Sequence, residues 1–203
     1  MSISKGEPDE HLLHRLEAFS DIVIGFSLAE LGLSLVIPAH IAQLWERPIP
    51  LVAFAITFAL ICAIWYAHNR LFAHYFVPTP VNIVLNFFTL GSVIMLVYSV
   101  QLYVHFLRER SAIAFYAGCL AAAFALIAAL YAIGLRQRRE FLGPDQVRWG
   151  IRRATRFGCI AAGLAIYVLL IPYFGDNVYQ LALAGCIAGS ALVARVILAA
   201  RRV

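Results

Sequence analysis

Charge is scarce in this sequence. Only 13% of its 203 residues are Asp, Glu, Lys or Arg, against 63% that are apolar. An ordinary water-soluble domain carries about a quarter charged residues and about half apolar ones, so that class is excluded. Lysine is nearly missing, with Lys5 alone beside fifteen arginines. Cysteine offers little chemistry. Cys62, Cys119, Cys159 and Cys186 fall in different apolar stretches with no CxxC spacing, so neither a metal site nor a disulfide is expected. HExxH, GxSxG and phosphate-loop motifs are absent. The histidines are not paired for haem, and no nucleophile and base are placed where they would meet. The chain is expected not to be an enzyme and to use no cofactor.

Long apolar runs take the place of charge. Six are long enough to cross a hydrocarbon core at about 1.5 Å per residue: residues 19–37, 51–67, 81–104, 112–135, 157–174 and 178–200. The expected fold is therefore all-α, one polytopic membrane domain over 1–203 with six transmembrane helices. Prolines punctuate it. Pro38 ends the first run, Pro48 and Pro50 open the second, and Pro78 and Pro80 open the third. Gly143-Pro144-Asp145 restarts a helix after the fourth, and Gly175-Asp176-Asn177 is a tight turn between the last two. No small-x-small cleavage site closes the first run, which is expected to stay as a helix.

The net charge of +5 would suggest nucleic acid in a soluble protein, but its distribution points to a membrane. Arg136, Arg138, Arg139, Arg148, Arg152, Arg153 and Arg156 lie between the fourth and fifth runs. Lys5, Arg15, Arg70, Arg201 and Arg202 fall on the same side, whereas the opposite loops carry only Arg47, Arg108 and Arg110. The positive-inside rule then puts both termini in the cytoplasm, which agrees with the even number of spans, since that puts the termini on one side. Arg148, Arg152 and Arg156 share one helical face and should lie near anionic headgroups. The expected location is the inner, cytoplasmic membrane, with membrane lipids as partners and no nucleic acid.

The first run holds the main polar constellation. Ser20, Ser27, Glu30 and Ser34 fall on one stripe, and Phe26, Glu30, Leu33 and Ile37 on an overlapping one. Gly25, Ala29 and Gly32 make a face of small residues that lets another backbone come close. A carboxylate at mid-membrane costs about 2.5 kcal/mol or more, so Glu30 either lines a wet path or pairs with a tyrosine such as Tyr98, Tyr131 or Tyr167. A second cluster is expected at the cytoplasmic end. Arg15 and Asp21 meet His68 and Trp65 at the exit of the second run, with Asn82 and Asn86 at the entry of the third. Groups of this kind, converging away from water, need one another as partners. His68 adds the prospect of pH sensitivity.

These residues carry a resemblance. Arg15, Phe19, Ser20 and Asp21 match an arginine followed by Phe-Ser-Asp, and Trp65, His68, Leu71, Phe72 and Asn86 extend the match through the third run. The chain resembles bacterial members of the endosomal and lysosomal potassium-channel family, small six-helix proteins. The resemblance implies a homotetramer whose first helices line a central pore, with layers of bulky apolar residues as the constriction. Those layers fall on Phe26, Glu30 and Leu33, with Ser27 and Ile37 beside them. Only Leu33 keeps the branched aliphatic type. Phe26 is bulkier than the usual isoleucine or leucine, Glu30 replaces an apolar layer with an acid, and Ala29 stands at a threonine-like position.

The expected function is a cation channel of potassium type, passing K+ or other monovalent cations. Its preference is left open between potassium, cations in general and protons. A proton-coupled carrier using Glu30 is the alternative, and a non-conducting membrane scaffold the third. Against a carrier stand the missing internal repeat and the lack of Gly/Pro breaks at mid-membrane.

Overall fold

The computed structural model describes residues 7–175 and 178–200. Among the described residues seven α-helices follow one another: α1 (Glu7–Leu33), α2 (Gln43–Glu46), α3 (Ile49–His74), α4 (Pro80–His105), α5 (Arg110–Gln137), α6 (Pro144–Leu170) and α7 (Tyr179–Ala200). A 3-10 turn, Ile171–Tyr173, closes α6, and no strand occurs among the described residues. The turn at Asp176-Asn177 lies outside them.

The helix boundaries follow local chemistry. Pro80 opens α4 behind Thr79, whose hydroxyl accepts the Asn82 N–H at 3.3 Å. Pro144 opens α6, where Gln146 Oε1 accepts the Gly143 N–H at 3.0 Å. This restart was legible, although the apolar run it leads into begins only at residue 157. The first helix departs from expectation. It stops at Leu33, not at Ile37. Gly32 is a weak helix former, and the Ser34 hydroxyl turns back to the Leu31 carbonyl at 2.7 Å, competing with the ladder at its last turn. The one-turn helix α2 was not foreseen.

Five helical segments are long and apolar enough to cross a membrane: Ile49–His74, Pro80–His105, Arg110–Gln137, Pro144–Tyr173 and Leu181–Ala200. α1 is not among them, because Glu17, Asp21 and Glu30 interrupt its apolar turns. Packing divides the bundle in two. α1 lies on α3 and α4, while α6 packs between α5 and α7. α5 joins the halves by packing along α4 and α3. Inside a bilayer this association rests on close contact and satisfied polar groups, since lipid tails are as apolar as leucine.

Three tyrosines satisfy their hydroxyls across the seam. Tyr131 donates to the Ala67 carbonyl at 2.7 Å, Tyr116 pairs with Thr57 at 3.1 Å, and Tyr75 donates to the Gln146 carbonyl at 2.7 Å. Burial pushes the Tyr75 phenol up, so it remains a donor well beyond neutral pH. Close backbone approach needs glycine at two of these contacts. A Cβ on Gly134 would sit 2.5 Å from the Tyr75 carbonyl oxygen, and one on Gly150 would meet Leu135 and the Tyr75 ring. Gly118, on the same helix as Gly134, faces open space.

That pair supplies an internal control. Gly118→Ala should leave thermal unfolding in detergent unchanged or slightly improved, because alanine is the better helix former. Gly134→Ala should lower the midpoint by an overpacking cost of about 1–3 kcal/mol. Equal midpoints would show that the Tyr75 contact yields without strain.

Candidate functional site

α1 divides lengthwise. Leu16, Ser20, Ile24, Ser27 and Leu31 are buried, at spacings of four, four, three and four, and form one stripe against α3 and α4. Serines belong on that stripe because each satisfies its hydroxyl within the helix. Ser20 donates to the Leu16 carbonyl at 2.7 Å and Ser27 to the Val23 carbonyl at 2.9 Å.

Asn86 then ties three helices together. Its Nδ2 donates to Ser20 Oγ on α1 at 3.1 Å, and its Oδ1 accepts from His68 Nε2 on α3 at 2.7 Å. Both residues are almost wholly buried, as is Ser20. With the amide nitrogen committed to Ser20, the oxygen faces the imidazole, so the ring carries its proton on Nε2. His68 stacks on Phe72 at 4.6 Å, and Phe72 on Phe76 at 4.2 Å. Nδ1 of His68 is buried without a protein partner.

A second link runs nearer the surface. Trp65 Nε1 on α3 donates to Asp21 Oδ1 at 2.9 Å, and Phe19 meets the edge of Phe87 at 6.0 Å. The expected cluster of Ser20, Asp21, Trp65, His68 and Asn86 therefore converges. Two members of the wider set do not join it. Arg15 is exposed, and its guanidinium bonds to none of the described residues. Asn82 turns elsewhere, donating to the Val77 carbonyl and to Gln137 Oε1 on α5, each at 2.8 Å. Gln137 was missed by sequence reading, and nothing local in its surroundings marks it.

The other side of α1 is uncovered. Phe26 is 72% exposed and Leu33 81%, with Glu30 exposed between them. Gly25 and Gly32 have nothing within 4 Å of a would-be Cβ. The Glu30 carboxylate bonds to no described residue. Of its three candidate tyrosines, Tyr131 is committed to Ala67. The internal clamp proposed for Glu30 is thus not made within one chain. The helix end at Leu33 also moves Glu30 from mid-span to the last turn, and Ile37 lies past the helix, 90% exposed. Ser27, grouped by spacing with the open face, turns inward.

The sequence around these contacts matches a family model. Residues 15–96 match the model of the family described as the endosomal/lysosomal potassium channel TMEM175. The matched segment contains α1 from Arg15 onward, all of α3 and most of α4, and with them the anchoring network and the open face. No curated protein sequence matches the chain. Two solved structures share its fold at 22% identity. A TMEM175 homolog from Chamaesiphon minutus, described as a lysosomal potassium-selective channel, aligns over 91% of this chain and 98% of its own, with TM-score 0.69. A variant of the potassium channel MtTMEM175, crystallised with a nanobody fusion, aligns over 91% and 93%, with TM-score 0.67. The fold shared with these two structures thus extends through α5, α6 and α7, beyond the segment that the family model matches.

The Ser20–Asn86–His68 chain sets a stability expectation. Asn86→Ala leaves the buried His68 Nε2–H without its acceptor, at about 1–3 kcal/mol, while Ser20 keeps its bond to Leu16. It should lower the unfolding midpoint in detergent below that of Asp21→Asn, which keeps an oxygen for Trp65. Comparable midpoints for the two variants would remove Asn86 from its role as the tie.

Proposed function

We propose that this chain is one subunit of a cation channel in the cytoplasmic membrane, with α1 from each of four copies lining a central pore. The observation that carries the reading is the uncovered face of α1 within the TMEM175 segment. One side of that helix is locked to α3 and α4, while Phe26, Glu30 and Leu33 stand open on the other. A carboxylate facing lipid is unfavourable, by about 2.5 kcal/mol or more at mid-depth and by less toward the bilayer edge, where the last turn of α1 puts Glu30. Near a helix C-terminus it also opposes the helix dipole, by about 0.3–1 kcal/mol. A water-filled lumen removes the first cost and gives the group a task.

In this reading α1 is the sixth span, and both termini lie on the arginine-rich, cytoplasmic side. Rings of Phe26 and Leu33 form apolar constrictions, which gate by excluding water. Glu30, between them and close to the outer end, forms an acidic ring that concentrates cations and repels anions. Potassium is the expected ion, because the TMEM175 match and both structural relatives are potassium channels by description. The acidic layer favours charge of one sign without ranking K+ above Na+.

Purified protein in liposomes should pass K+ and Na+ and exclude a large organic cation. Phe26→Ala should raise the flux by widening the narrowest ring. Complete absence of flux in both forms would turn the assignment toward a scaffold, and saturable flux driven by a pH gradient would turn it toward a proton-coupled carrier.

Glu30→Gln keeps side-chain volume and removes the charge. It should lower the preference for cations over anions, read as a shift in reversal potential under a salt gradient. An unchanged reversal potential would take the carboxylate out of the conduction path.

A further inference from the structure

The arginine-rich end of the bundle carries a second constellation, which the pore does not use. Tyr66, on α3, has two guanidiniums gathered about its ring. Arg70 Cζ lies 5.7 Å from the ring centroid and Arg153 Cζ, on α6, lies 5.6 Å from it. Arg153 also covers Trp149 at 4.8 Å, and Arg70 Nε donates to the Tyr66 hydroxyl at 3.4 Å. No carboxylate among the described residues lies within salt-bridge distance of either arginine. Two positive groups from different helices are thus brought to one ring, and Asp145, which lines the adjoining pocket with Arg70 and Trp149, forms an ion pair with neither. Such an arrangement repels itself until an anion enters it.

The platform is built into the bundle. Trp149 lies parallel to Tyr75, with centroids 6.1 Å apart and planes at 6°, and meets Tyr131 at 6.0 Å. The start of α6 is held down by the Tyr75–Gln146 bond and by Gly150 against Leu135. The second apolar run ends at residue 67 and the fifth begins at 157. By those runs Tyr66 and Arg153 stand near the expected edge of the hydrocarbon, toward the arginine-rich ends of the longer helices that carry them.

We propose that Tyr66, Arg70, Trp149 and Arg153 bind the phosphate of an anionic phospholipid in the leaflet on the arginine-rich side. The planar guanidiniums take phosphate oxygens in paired hydrogen bonds. The faces of Tyr66 and Trp149 pack against the glycerol and first methylenes, as interfacial aromatics do. That carbon surface beside the cations is what selects a lipid over free phosphate. Arg148 and Arg156 add attraction to a negative surface without contributing to the paired geometry. The site does not depend on the pore reading.

Trp149 itself is the reporter. The protein is reconstituted in phosphatidylcholine vesicles holding a few mole per cent of phosphatidylglycerol with brominated acyl chains. The Trp149 signal is taken as the emission lost in Trp149→Phe. Brominated phosphatidylglycerol should quench that signal several-fold more than brominated phosphatidylcholine at the same mole fraction. The Arg70→Gln/Arg153→Gln variant should lose the preference, and Arg148→Gln/Arg156→Gln should keep most of it. With the unaltered protein, unbrominated phosphatidylglycerol should displace the quencher while millimolar inorganic phosphate should not. Equal quenching by both lipids would overturn the proposal, as would displacement by phosphate. A preference that follows Arg148 and Arg156 instead would reduce the effect to general surface charge and reject the site.

Discussion

Burying a polar side chain away from water obliges a protein to supply its partners, and the Ser20–Asn86–His68 chain shows that obligation organising a membrane bundle. One asparagine serves α1 and α3 at once, from a position on α4. Its two hydrogen bonds cannot both be kept if α1 rotates about its axis or slides by a turn. The network therefore sets the rotation of α1, and with it the identity of every residue on the opposite face. Trp65–Asp21 and Phe19–Phe87 repeat the constraint nearer the surface, where a single bond would be weak.

From that rotation the rest follows. With Leu16, Ser20, Ile24, Ser27 and Leu31 committed inward, Phe26, Glu30 and Leu33 stand exposed on the other side of the helix. A carboxylate left without a partner on such a face is costly against lipid and inexpensive beside water. Physical economy thus argues for other copies of the chain and a wet axis. The same fixed rotation leaves Gly25 and Gly32 open, ready for the close approach of another backbone.

The other end of the molecule obeys a different rule. There the arginines are gathered by aromatic rings rather than by carboxylates, and the rings are positioned by the packing of α3, α5 and α6. Tyr75 is central to this. It approaches Gly134, stacks with Trp149 and holds the Gln146 carbonyl, so the arginine-bearing start of α6 is registered against the end of α3 by one residue.

Much of this protein was legible before any tertiary contact was known. Apolar run lengths and prolines determined an all-helical membrane chain, because span length and backbone hydrogen bonding in lipid leave few alternatives. The Arg15–Asp21 segment with Trp65, His68 and Asn86 determined the family resemblance and most of the network, since polar groups of that kind at one depth require each other. Other features were decided by the tertiary structure alone. Spacing put Ser27 with Glu30, yet a helix has no preferred outward side until neighbours pack on it, and the hydroxyl's return to Val23 let Ser27 face the bundle. The early stop at Leu33 and the partnership of Asn82 with Gln137 were equally hidden, one decided by a side chain competing for a carbonyl, the other by residues far apart in sequence. Periodicity along a chain determines which residues share a face; only packing decides which way that face is turned.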